Sequence, residues 1–275
     1  MNRYYKLARP DGFDFHTGRT INYRESIGKT VKCPKPKRHF ENWLKTTDLC
    51  SDTVLHACVN PNDCFVAAKM PCSAYIVEGK PVVKDENKCG FKKFFVVEEI
   101  PQENLDEVFG WKYSETCDPL NPFKIRAPRM ITNVQIDLLR NWASVRGSVW
   151  ASVGDSVWAS VWASVRDSVW ASVGASVWAS VRDSVGASVW ASVWASVRDS
   201  VWASVRDSEA AYIGTLFPSI KKWQYINHDE GIYPYQSCID LLRQGLVPSY
   251  EREKWRLHAG PDGHVVYEVA RTDLK

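Results

Sequence analysis

His56, Cys58, Cys64 and Cys72 stand in the spacing H-x-C-x5-C-x7-C. Imidazole nitrogen and thiolate sulfur are the donors a structural zinc ion takes, four at a time. Zinc fingers and ribbons place their cysteines in closely spaced pairs, and no CxxC pair occurs in this chain. Cysteine is also among the residue types most often buried, where it packs as a small hydrophobe. The spacing therefore favours buried thiols beside a strand-borne histidine, and neither a metal nor another cofactor is expected.

A second chemistry rests on the order of elements around the same residues. A strand (LHAC), a helix (PNDCF) and a strand (AYIVEG) resemble the order in ADP-ribosyl-transfer folds, where a strand histidine anchors a nicotinamide nucleotide. That resemblance implies a nucleotide-dependent enzyme with its site in residues 50–100. His56 would hold the ribose, and Glu98 or Glu99 would be the catalytic carboxylate. Two adjacent glutamates do not face each other as a general acid and base must. No P-loop, GxGxxG, GxSxG or HExxH motif is present. Lys29, Lys32, Lys35, Lys37, Arg38 and Lys45, with Phe40 and Trp43 between them, could form a surface for single-stranded nucleic acid. The stretch is broken by prolines and the net charge is only +3, so a solvated loop is the simpler expectation.

Residues 144–207 offer a different kind of surface. They are sixteen tetrads Ser-Val-x-y without an insertion, with x limited to Trp, Arg or Gly and y to Ala, Asp or Gly. Each set is connected by single-base codon changes, the mark of a DNA tandem that expanded and drifted. Serine and valine did not vary, so they carry the structural constraint and the variable pair faces solvent. Eight of the thirteen tryptophans lie in the array, and its five arginines balance its five aspartates. Trp162, Trp178 and Trp194 recur every sixteen residues, as do Arg166, Arg182 and Arg198. Stacked in register, they would make an aromatic ladder flanked by arginine, a surface suited to a protein or glycan partner.

The element that positions this ladder is the main structural question. On an α-helix each tetrad turns ~400°, so the valine stripe drifts about 40° per repeat and makes no fixed face over the array. Valine favours strands, and a four-sided coil takes one inward valine per side. The expected fold class is an α+β amino-terminal domain followed by a β-solenoid of tetrapeptide repeats, sixteen residues per coil, with a mixed α/β carboxy-terminal cap.

The expected boundaries are 1–125 for the α+β domain, 126–143 for a connector, 144–207 for the solenoid and 208–275 for the cap. The first domain holds the strand-like runs YYKLA, FDFH, RTINY, TVLHACV, AYIVEG, KPVVK and KFFVVEEI, and a helix start at Asn60-Pro61. In the cap, Ser208 and Glu209 open a helix with Tyr212, Ile213, Leu216 and Phe217 on its apolar face. SCIDLLRQ reads as a helix closed by Gly245, and KWRLH with HVVYEV as a hairpin.

Residues 4–99 resemble an uncharacterised amino-terminal domain of phage, prophage and bacterial proteins that carry low-complexity repeats. The matching residues are Tyr5-Lys6, Pro10-Asp11, Phe13-Asp14-Phe15 with Gly18, His56-Ala57-Cys58, Asn60-Pro61, Asp63-Cys64-Phe65, Val77-Glu78-Gly79 and Val96-Val97-Glu98-Glu99. The block from Leu216 through WRLH is similar to the closing segment of such proteins. The resemblance implies a mobile-element origin and supplies no activity. The chain has no secretory leader pattern and no run of apolar residues able to span a bilayer, so a cytoplasmic protein with reduced thiols is expected. The expected function is that of a non-enzymatic binding protein with the array as spacer or recognition surface; the nucleotide-dependent enzyme is the alternative.

Overall fold

Ser73–Glu78 (β4 below) is apolar at four successive positions, a pattern that suits a strand covered on both faces. It lies near the middle of a seven-stranded antiparallel sheet. The computed structural model describes residues 2–34, 49, 53–164 and 199–274. These divide into two compact units, one built on Met1–Phe109 and the other on Gly110–Ser160 with the chain after Val177.

In the first unit the strands are β1 (Arg3–Ala8), β2 (Thr30–Lys32), β3 (Leu55–Cys58), β4 (Ser73–Glu78), β5 (Val83–Lys84), β6 (Lys88–Phe91) and β7 (Lys93–Glu99), in the order β2-β7-β4-β1-β3-β6-β5. Alternate residues of these strands build one core face from Tyr4, Leu55, Ala57, Tyr75, Val77, Phe91, Phe94 and Val96, closed over by Tyr23. Tyr4 meets Phe91 edge-on at 5.0 Å, and Phe91 meets Phe94 at 5.6 Å. The opposite face buries Leu7, Cys58 and Ala74. It is covered by the 3-10 helix Pro61–Val66, against which helix α1 (Leu105–Phe109) packs through a Phe65–Phe109 contact at 5.3 Å. Asn60 caps the 3-10 helix, its side chain accepting from the Asn62 N–H at 3.0 Å.

FDFH and RTINY are not strands; only a single bridge, Phe13 to Asn22, joins them. Asp14 is the reason. Its carboxylate takes the Thr17 N–H at 2.6 Å, the Thr17 hydroxyl at 2.7 Å and the Ile21 N–H at 3.3 Å, a local network that replaces a ladder. Burial alone would raise this carboxyl, but those bonds hold it below its ordinary range.

The second unit joins helices to a small sheet. The helices are α2 (Tyr113–Cys117), α3 (Asn133–Val145), α4 (Val149–Ser164), α5 (Asp199–Thr215) and α6 (Gln236–Arg243). The strands are β8 (Val247–Glu251), β9 (Lys254–Ala259) and β10 (His264–Ala270), in the order β10-β9-β8. Gly245 ends the α6 segment at φ +73°, and a Cβ there would lie 2.6 Å from the Ile125 carbonyl oxygen, so only glycine fits.

The β-solenoid expectation is corrected here. Among the described residues both ends of the array are α-helical: α3 ends inside the first tetrad, and α4 and α5 run through repeats at either end. Helix α5 also runs straight through Ser208 and Glu209, which open nothing. The physical reason is local. From Val149 to Val157 the stripe drifts only about 80°, inside the ~100° width that one buried helix face needs. Val149, Val153 and Val157 are accordingly buried. Tertiary packing of that face outweighs the modest helix propensity of valine and serine.

Two substitutions test the helical register. Val153→Ala should lower stability by about 1–3 kcal/mol by opening a cavity. Gly154 is exposed with no atom within 4 Å of an added Cβ, so Gly154→Ala should raise stability by roughly 0.5–1 kcal/mol. Urea denaturation of the full chain reads both, and a destabilising Gly154→Ala would contradict the helix.

Candidate functional site

Strand β3 delivers His56 and Cys58 to the same face of the sheet, and the capped 3-10 helix brings Cys64 back over it. Cys64 Sγ lies 3.2 Å from the Tyr5 carbonyl oxygen, and Tyr5 is the ladder partner of Cys58. The two thiols are in contact. The bond to Cys64 and then burial push the Cys58 thiol well above its ordinary range, so it stays protonated. Asp63, buried beside them, is raised to about 6, first by burial and then by Asp85. Cys72 is buried. Among the described residues no three His, Cys, Asp or Glu side chains stand together as a metal ion would require.

His56 donates from Nε2 to the Leu49 carbonyl oxygen. Burial lowers its pKa and the Leu49 bond opposes that. The glutamates are elsewhere. Strand β7 stands three positions from β3 in the sheet, about 14 Å at the usual strand spacing. Glu98 pairs with Ile76 and Glu99 with Tyr75, so the two carboxylates leave the sheet on opposite faces. Glu98 is exposed. Glu99 is gripped by Arg24 through two bonds of 2.9 Å, and the same guanidinium reaches the Pro10 carbonyl at 3.0 Å and Ser73 Oγ at 3.2 Å. Arg24 holds Glu99 below the ordinary carboxylate range, while burial and then Glu99 push the Tyr75 hydroxyl up to about 12. This arrangement anchors the 9–24 loop to the sheet. It does not bring a carboxylate to His56.

In the second unit the array shows what each tetrad position does. Ser152, Val153, Ser156 and Val157 are buried, whereas Trp150, Ala151, Gly154 and Asp155 are exposed. Valine packs and serine bonds. Ser156 Oγ accepts the Gln224 N–H at 2.9 Å, Ser152 donates to the Gln224 carbonyl, and Ser148 Oγ meets the Tyr235 hydroxyl at 3.0 Å. A buried hydroxyl with a backbone partner satisfies two polar groups at once, which an alanine could not do.

The first and last tetrads are joined by a clasp. The Asp207 carboxylate accepts from Trp150 Nε1 at 2.6 Å and pairs with Arg146 Nε at 3.0 Å. Arg146 lies over the Tyr250 and Trp255 rings at 5.1 and 5.4 Å, and Arg206 covers Trp150 at 4.8 Å. Burial raises the Asp207 pKa, against the opposing pull of Arg146 and Trp150. A Ser–His pair, Ser249 Oγ to His258 Nε2 at 2.7 Å, has the geometry of a nucleophile and its base. Both residues are 0% exposed and His258 Nδ1 donates to the Gly263 carbonyl, so the pair fastens β8 to β9 and meets no substrate.

Of the residues nominated for a recognition surface, Trp162 lies on α4 with its side chain outside the described residues. Trp178, Trp194, Arg166, Arg182 and Arg198 lie outside them entirely, as do Lys35, Lys37, Arg38, Phe40, Trp43 and Lys45. Sequence reasoning missed the clasp and Arg24. For the clasp a signal existed, since the equal arginine and aspartate counts of the array allow its charges to pair. For Arg24, 75 residues from Glu99, none did. Comparison with protein-family models, curated proteins and solved structures finds no match, so nothing there bears on the resemblance to phage repeat proteins. Among the described residues no helix is long and apolar enough to cross a membrane.

Asp207→Ala should cost about 3 kcal/mol, because it strands the half-buried Arg146 charge and the Trp150 indole N–H. Asp155→Ala, which removes only a 2.7 Å bond from the exposed Tyr225 hydroxyl, should cost under about 1 kcal/mol. Equal losses of stability in urea would contradict the clasp.

Proposed function

We propose that this chain is a non-enzymatic binding protein whose repeat array is an interaction surface of variable composition. The supporting observation is the division of labour within the tetrad: Ser and Val face the interior, and the pair that varies is exposed at Trp150-Ala151 and Gly154-Asp155. Along this stretch variation therefore changes surface chemistry without changing the packed face. Tryptophan and arginine at position x, with a small or acidic residue at y, supply aromatic and cationic contacts of the kind that dominate protein interfaces and sugar-binding surfaces. The array is electrically balanced, which favours a protein or glycan over a polyanion. The geometry around His56 offers the enzyme alternative little support, since its Nε2 is taken by the Leu49 carbonyl and the nominated carboxylates stand about three strands away.

The test exchanges residues within the array's own vocabulary. A full-length variant with Trp162→Gly, Trp178→Gly and Trp194→Gly should keep the wild-type circular dichroism. It should lose, by more than about 30-fold in affinity, partners that the wild type captures from its host and binds when purified. Undiminished binding by the triple variant, or binding that persists after removal of residues 144–207, would overturn the proposal.

A further inference from the structure

The thiol pair in the first unit has no part in that reading, and its placement points to chemistry of its own. Cys58 closes strand β3 inside the core, 3% exposed, and Cys64 stands on the capped 3-10 helix with partial access to solvent. Both cysteines converge on Tyr5: Cys64 Sγ is 3.2 Å from its carbonyl oxygen, and Cys58 is its partner across the β1–β3 ladder. The Cys58 thiol is bonded to Cys64. Two neighbouring thiols, one on a partly exposed residue and one sheltered, are the parts that thiol–disulfide exchange needs.

We propose that Cys58 and Cys64 form a reversible dithiol–disulfide site that reacts with small disulfides of the glutathione type, Cys64 attacking and Cys58 resolving. In the first step the Cys64 thiolate attacks one sulfur of oxidised glutathione. A mixed disulfide forms on Cys64, and one glutathione thiolate leaves. In the second step Cys58 attacks the Cys64 sulfur and its proton passes to the glutathione sulfur that departs. The Cys58–Cys64 bond forms and the second glutathione leaves as a thiol. The two protein thiols lose two electrons in total, and one disulfide is reduced to two thiols. Reduced glutathione in excess runs both steps backwards.

The experiment holds the full chain in buffers of graded oxidised-to-reduced glutathione ratio, blocks remaining thiols by alkylation and maps peptides by mass. The wild type should gain a Cys58–Cys64 crosslink, two hydrogens lighter, that disappears as reduced glutathione rises. Cys58→Ala should trap glutathione on Cys64. In Cys64→Ala, Cys58 should react on the order of tenfold or more slowly, because it is sheltered. The wild-type mapping needs no variant to fold. Three results would overturn the site: both thiols intact in fully oxidising buffer with the fold retained, Cys64 paired with Cys72 instead, or no glutathione on Cys64 in the Cys58→Ala protein.

Discussion

A valine at every fourth position can stay on one side of an α-helix for only a few turns, because the repeat outruns the helix by about 40° per tetrad. The second unit is built within that limit. Val149, Val153 and Val157 sweep across one buried face, and the serines beside them bond the backbone of Gln224 and the Tyr235 hydroxyl. From Ser152 to Val157 packing and polar satisfaction thus fall to the two residues that never vary, and the two that do vary are exposed. The clasp of Arg146, Trp150, Arg206 and Asp207 follows from the same geometry, because it brings side chains of the first tetrads against those of the last.

The first unit depends on a different constraint. A strand such as β4, apolar on both sides, needs cover on both faces. The 9–24 loop and Tyr23 supply one cover, and the 3-10 helix with α1 supplies the other. Each cover is fastened by polar chemistry: Arg24 grips Glu99 on one side, and Asn60 caps the helix carrying Cys64 on the other. Side chains that looked catalytic in isolation are therefore mostly fasteners. The Cys58–Cys64 pair stands apart because one of its two residues, Cys64, is partly exposed.

Strands β1, β3, β4 and β7, the Asn60 cap, the Gly245 stop and the hairpin of β9 and β10 were all legible, since each is written in neighbouring residues. The helical ends of the array were not. Over sixteen tetrads the drift forbids a common face, whereas α4 needs that face only from Val149 to Val157. FDFH and RTINY have strand composition, and a single aspartate, Asp14, takes their hydrogen-bonding groups for a turn network. The candidate site was legible as residues and illegible as geometry. No local pattern says that β4 and β1 lie between β7 and β3, which is what separates Glu98 and Glu99 from His56. The contact of Cys58 with Cys64 was within reach, because a capped turn six residues long returns the chain to the strand it left.

Solvent paramagnetic relaxation across Ser148–Val157, measured by NMR with a soluble relaxation agent, tests the division of the tetrad most directly. The expected profile rises at Trp150-Ala151, falls at Ser152-Val153, rises at Gly154-Asp155 and falls at Ser156-Val157. A flat profile, or one alternating every second residue as a strand would, contradicts the account.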